Sequence, residues 1–223
     1  MGTKTLVAGM LTLLLLGGSA PPDPPAAVDL FNGENLAGWS HFLLDDSVSR
    51  DAVWSVVDGV LVCAGTPMGY LYTDERYQDF TLSLDWRWAP GQTPGNSGVL
   101  LRIHGDAVSF LPQCVEAQLQ HGNVGDLWAF YGASIDGNPK RSSVIQGHKE
   151  LGDFEGIRKM RSLEKTAGEW NHYVVTVRGS NITVRLNGAL VNEAHGLNVR
   201  SGPIGLQSEG GEIHFRNIQI EPL

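Results

Sequence analysis

Residues 172 to 191 read HYVVTVRGSNITVRLNGALV. Successive side chains of a strand point to opposite faces, so Tyr173, Val175 and Val177 share one side and Val174, Thr176 and Arg178 the other. A turn at Gly179 to Asn181 sends the chain back through a second alternating run, Asn181 to Leu186. Asn187-Gly188 then supplies a second turn, of the kind that takes positive φ. Glu169-Trp170-Asn171 leads into the hairpin. This stretch decides for β-structure, because its period is 2 rather than 3.6.

The rest of the chain repeats the pattern. Strand-like runs cover Val53–Val57, Val60–Cys63, Phe80–Trp88, Gly98–His104, Val115–Gln120, Ile204–Gln207 and Ile213–Glu221. Breaks such as Asp58-Gly59 and Glu209-Gly210-Gly211 separate them. Short runs with regular turn signals imply an all-β sandwich or barrel. No long segment has a helical period. Residues 131–168 have little pattern and read as a long loop, which in a compact domain is usually functional.

The chain has 223 residues, which fits one β-domain. Residues 1–20, MGTKTLVAGMLTLLLLGGSA, have the charged start, apolar run and small-residue end of a secretory signal peptide. The run is too short to span a bilayer comfortably; an uncleaved anchor is the alternative. Residues 21–27, PPDPPAA, read as a stiff linker, and residues 28–223 as the domain. Export to the periplasm or the extracellular space is the expectation, with no membrane span once the signal is cut. The formal charge is −8, and losing residues 1–20 removes only Lys4 among ionisable side chains. An acidic chain of this kind is a poor partner for nucleic acid. Cys63 and Cys114 are the only cysteines. Export permits a disulfide between them, and two buried thiols are equally compatible.

Chemistry-bearing residues concentrate on polar faces of three central runs. In FTLSLDWRW (80–88), Asp85 and Arg87 lie opposite the apolar set. In GVLLRIH (98–104), Leu100, Arg102 and His104 share a face. In VEAQLQ (115–120), Glu116, Gln118 and Gln120 share a face. If these strands are sheet neighbours, their acids, guanidiniums and histidine gather on one surface. A solvated face with cross-strand ion pairs is the plainer reading. Asn96 enters the Arg102 strand and His121 leaves the Glu116 strand, so either could line a rim. Trp128 is the best candidate for a ring stacked on a sugar, whereas Trp54, Trp86 and Trp170 read as core. There is no GxSxG, HExxH or P-loop.

Six segments in order carry a family resemblance: LFNGENLAGW (30–39), YLYTDERYQDFTLSLDWRW (70–88), NSGVLLR (96–102), CVEAQL (114–119), GEWNHYVVTVRGSNITVRLNG (168–188) and GPIGLQSEGGEIHFRNIQIEPL (202–223). Together they resemble the 3-keto-disaccharide hydrolase domain. That resemblance implies a two-sheet antiparallel jelly-roll sandwich of the concanavalin A-like lectin/glucanase type, with carbohydrate on a concave face. It implies a hydrolase for glycosides already oxidised at C3, hence an upstream sugar 3-dehydrogenase as partner.

A C3 ketone acidifies the C2 proton. A base removes it, the C1 substituent leaves, and water adds. On this reading Glu116 is base or metal ligand, Arg102 the electrophile, and His104 or His121 the proton donor. Asp85, Arg87 and Gln118 position the sugar. Only Arg102 and Glu116 match family motifs; the others rest on strand parity. A divalent metal ion held by Glu116 and His121 could replace Arg102. A carbohydrate-binding module without catalysis and a cell-surface interaction domain are the competing readings.

Overall fold

The structure, a computed structural model, describes residues 1–2, 26–198 and 201–223. The signal-peptide reading of residues 1–20 and most of the linker reading fall outside them. Among the described residues no helix is long and apolar enough to cross a membrane.

In chain order the strands begin with β1 (Val28–Asp29) and β2 (Trp39–Leu43). A one-turn helix (Arg50–Val53) precedes β3 (Trp54–Val57), β4 (Val60–Cys63), β5 (Gly69–Thr73) and β6 (Phe80–Trp88). Then come β7 (Gly98–His104), β8 (Gln113–Gln118), β9 (Leu127–Phe130), β10 (Ser142–His148) and β11 (Gly152–Ile157). The chain ends with β12 (Asn171–Arg178), β13 (Asn181–Leu186), β14 (Ala189–Ala194), β15 (Gly205–Ser208) and β16 (Ile213–Pro222). They form two antiparallel sheets. The first runs β14-β13-β12-β6-β16-β4-β3, with β1 on β16; the second runs β10-β11-β9-β8-β7-β15-β5-β2. The expected all-β, two-sheet sandwich is what the chain forms.

The opening hairpin behaves as read. Tyr173, Val175 and Val177 are fully buried. Asn187 and Gly188 both have positive φ, 52° and 86°. That is the turn which matches the twist of two antiparallel strands, and only residues such as Asn and Gly enter it cheaply. The core lies between the sheets, where Leu82, Leu84, Trp86 and Trp88 of β6 meet Val99 and Leu101 of β7 and Val115 and Ala117 of β8.

A smaller apolar cluster lies on the outer side of the second sheet. Leu100, Cys114 and Phe130 are capped there by Phe110, Leu111 and Leu151 from overlying loops. The middle of that sheet is therefore buried on both faces. This explains why β5 (GYLYT) and β9 (LWAF) are illegible in the sequence, since strands covered on both sides lose their alternation. The stretch 131–168 is not one loop either: it contains the β10–β11 hairpin, polar because it forms a sheet edge. Cys63 packs between the sheets and Cys114 in the outer cluster. Both are free, so the disulfide does not form.

Candidate active site

The expected meeting of three strands fails at its first step. The Gly- and Pro-rich segment 89–97 carries the chain from one sheet to the other, so β6 and β7 are not neighbours. Asp85 and Arg87 decorate the outer face of the opposite sheet. Asp85 accepts hydrogen bonds from His172 (2.9 Å), Asn217 (2.8 Å) and Arg216 (3.3 Å). Burial raises its carboxyl, but these bonds outweigh burial and hold it below the ordinary range. Arg87 and Arg216 lie over Trp170, 4.5 and 4.0 Å from its ring centre. Trp170 is thus half-buried under guanidiniums rather than core, while Trp54 and Trp86 are fully buried as expected.

Arg102 is also displaced, by a different cause. Its φ is +52°, and the register of β7 against β8 shifts between Leu101 and His104. A bulge of this kind re-aims a side chain and reverses the parity of the residues beyond it. Arg102 is 1 % exposed. Its guanidinium donates to the carbonyls of Gln78 (2.6 and 2.9 Å) and Gly179 (2.8 Å) and to the Asp79 carboxylate (3.1 Å). It ties together loops at one end of the sandwich, away from Glu116. His104, beyond the bulge, is exposed, its Nδ1 3.4 Å from Arg76. His121 pairs with Glu164 (2.9 Å) and does not line the cavity around Glu116.

Glu116 does face a cavity. Glu116 and Trp128 are register partners on β8 and β9, and both point to the outer face. There they line a space of about 340 Å³ with Asn96, Gln118, Gln120, Phe130, His148, Phe154 and Glu209. That is within the usual range for a small-molecule site, about 300–1,000 Å³. The polar row of β8, Glu116, Gln118 and Gln120, is therefore the floor of a pocket. Asn96 and Trp128 reach it too. A larger cavity of about 650 Å³ at the edge of the other sheet is lined by Arg141, Glu193 and His195, all at least partly in solvent.

Two glycines make room for the cavity's principal side chains. A Cβ on Gly98 would sit 1.9 Å from Glu116 Oε1, so Glu116 lies across the bare backbone of β7. A Cβ on Gly156 would sit 2.3 Å from the Trp128 ring, which lies over β11 in the same way. Trp128 also meets Phe154 edge-on at 5.5 Å. The amide oxygen of Gln118 accepts from the backbone of Leu119 and Gln120, both at 2.9 Å, and so shapes the strand exit.

The electrostatics single out two carboxyls. Glu116 is 2 % exposed, and its Oε1 has no hydrogen-bond partner among the described residues. Burial, and then the nearby charge of Glu209, pushes its pKa well up. Burial likewise lifts Glu209 to about 7, against hydrogen bonds led by Asn96. Asn96 Oδ1 is itself buried without a partner among the described residues. Orphaned polar atoms at a cavity wall need an explanation, and a ligand supplies one. Strongly shifted acids in a cleft point the same way. The expected metal pair, Glu116 with His121, does not form. Among the described residues no three His, Cys, Asp or Glu side chains gather as a metal-binding set.

Glu209 and His148 escape sequence reasoning. Glu209 reads as part of a Gly-rich turn, and His148 lies in the stretch that reads as loop. Neither position has a local signal: the bare backbone at Gly98 marks the approach of Glu116, not of Glu209 or His148.

Among curated proteins none matches the chain. Among solved structures it is similar to two candidate glycosyl hydrolases of Parabacteroides distasonis ATCC 8503. One shares 22 % identity over 88 % of this chain and 94 % of its own, with a TM-score of 0.64. The other shares 26 % identity over 89 % and 100 %, with a TM-score of 0.61. The carbohydrate-binding module CBM66 of Bacillus subtilis has the same fold at 17 % identity, covering 82 % of this chain and 95 % of its own, with a TM-score of 0.60. The model of the 3-keto-alpha-glucoside-1,2-lyase-like domain matches residues 26–221, nearly the whole chain, and the protein belongs to that family.

Proposed function

We propose that this domain cleaves 3-keto-glycosides at the Glu116–Glu209 cavity, by elimination followed by hydration. The observation that carries the reading is the pair of carboxyls, Glu116 buried and Glu209 half-buried, facing one pocket beside Trp128. Two raised carboxyls facing one pocket, one of them raised by the other's charge, divide into an acid and a base.

Glu209, ionised above about pH 7, suits removal of the C2 proton near neutrality. Glu116, raised by burial and then by the charge of Glu209, keeps its proton and can give it to the departing C1 oxygen. As the C2–H bond breaks, its electrons form C2=C3 and the carbonyl pair moves onto the C3 oxygen; that pair then returns, the C1=C2 bond forms, and the C1–O bond opens onto the Glu116 proton. Water then adds: its oxygen joins C1, one water proton goes to Glu116, and the Glu209 proton returns to C2. Both carboxyls are restored. The route differs from that of ordinary glycosidases, whose two carboxylates flank an oxocarbenium-like centre. Trp128 supplies an apolar ring face for the sugar, and Asn96 and Gln118 supply amides for its hydroxyls.

The signal-like residues 1–20 support action outside the cytoplasm, after a dehydrogenase has oxidised the sugar. A non-catalytic binding module is the second reading, supported by the shared fold of CBM66. Incubation of the purified domain with a 3-keto-glucoside separates the two. Release of aglycone by wild type, and its loss in Glu116→Gln and Glu209→Gln with the fold intact, supports the enzyme. Binding without release, retained in both variants, sinks it.

A further inference from the structure

Removing the C2 proton leaves negative charge on the C3 oxygen, and something must stabilise it. Arg102 is the candidate from the sequence, but it is occupied at the end of the sandwich. Beside the amides of Asn96, Gln118 and Gln120, the described cavity wall offers an imidazole. His148 closes β10 and lines the cavity with Glu116 and Glu209. The turn after it, Lys149 to Leu151, also reaches this site: Leu151 lines the cavity, and the charge of Glu150 is felt at Glu209.

The two ring nitrogens of His148 are not equivalent. Nδ1 lies 3.3 Å from the backbone nitrogen of Glu150 and 3.2 Å from that of Leu151, and accepts a hydrogen bond from each. A nitrogen that accepts two N–H bonds carries no proton, so in the neutral ring the proton sits on Nε2. The ring plane is set as well, by Phe154, whose ring meets it edge-on at 5.8 Å. The turn is anchored from outside by the Tyr131 hydroxyl, which donates to the Glu150 carbonyl (3.3 Å).

We infer that His148 serves as the oxyanion-stabilising donor of this site: a neutral imidazole whose Nε2–H hydrogen-bonds the C3 oxygen of a 3-keto sugar as charge builds on it. The inference rests on the proposed function and names the group that takes the electrophile role. His148 transfers no proton in this role. Giving up Nε2–H would leave an imidazolate, and a proton on Nδ1 would have to displace the two backbone N–H groups that bond to it. A neutral imidazole acting as electrophile is a known device of proton-abstracting enzymes. Here the β10–β11 turn builds it with two backbone N–H groups.

The test has a structural and a kinetic arm. In wild type, 15N chemical shifts of the labelled His148 ring should show the Nε2–H tautomer at pH 7.5. An Nδ1–H ring, or a charged one, overturns the inference whatever the enzyme does. In turnover, His148→Leu should lower kcat on a 3-keto-glucoside by about 10²–10³-fold, the usual cost of one lost oxyanion donor, with a smaller change in KM. His148→Gln, which keeps an N–H near the Nε2 position, should recover at least tenfold of that. Unchanged melting temperatures in both variants exclude a merely structural effect. A Leu variant within threefold of an active wild type overturns the role of His148 alone. A wild type that turns over no 3-keto-glucoside overturns the proposed function, and this role with it.

Discussion

At the scale of single residues the site turns on what burial does to Glu209. Unfolded, a glutamate ionises near about pH 4.3; folded, Glu209 holds its proton to about 7. Between those values the folded state binds more protons than the unfolded one. Its contribution to stability is therefore fully present below about pH 4 and is lost as pH rises through 7. The loss is about 4 kcal/mol, at about 1.4 kcal/mol per pKa unit. Glu209→Gln removes this penalty. Urea unfolding should find the variant more stable than wild type at pH 8 by up to about that amount, and close to wild type at pH 4. The opposite holds for catalysis: a base must be ionised, so wild-type kcat/KM should climb with pH through about 7. Equal stability of the two proteins at pH 8 would show that Glu209 is not held protonated by the fold. The exchange of stability for a poised acid is common at functional sites.

At the scale of elements the decisive pieces are the edge hairpin and the bulge. β10 and β11 are polar and exposed enough to read as a loop, yet they supply Ile145, His148 and Phe154 to the cavity. A hairpin at a sheet edge, with most of β10 in solvent, belongs to the least stable part of a fold. Amide hydrogen exchange should therefore be faster in β10 than in β6 or β12, the central strands of the other sheet. Ligand that fills the cavity should slow β10 and leave β6 unchanged. Exchange in β10 that ignores a bound ligand would remove the hairpin from the site. The bulge at Arg102 works in the opposite sense. It sacrifices one regular pairing of β7 and turns a long charged side chain away from the outer face, where alternation alone would have put it.

At the scale of the whole molecule that same arginine becomes a clamp. Its bonds to Gln78, Asp79 and Gly179 join the approach to β6 with the turn between β12 and β13, at one end of the sandwich. Asp79 also accepts from the Gly179 backbone at 2.7 Å. Removing one partner of a buried charged network typically costs about 3–5 kcal/mol. For a domain of this size, that lowers Tm by roughly 6–20 °C, at about 2–4 °C per kcal/mol. Arg102→Ala should show such a drop in calorimetry, while activity per folded molecule at low temperature stays near wild type. A variant that melts like wild type but loses turnover would return Arg102 to the chemistry.

By itself the sequence settled the fold class. Alternation in Asn171–Arg178 and Asn181–Leu186, with turns that demand positive φ, allows little else, because strand period and turn chemistry are local properties. It also marked Glu116, Gln118, Asn96 and Trp128, all of which reach the cavity. Only the tertiary structure decided which strands are neighbours. Pairing β7 with β8, and sending β6 to the opposite sheet, depends on how a Gly- and Pro-rich crossing packs, and no periodicity encodes that. It alone brought Glu209, nearly a hundred residues away in the chain, beside Glu116, and it alone covered β8 on both faces. Burial is a property of the assembled layers, and burial is what turns two ordinary glutamates into acids with chemistry.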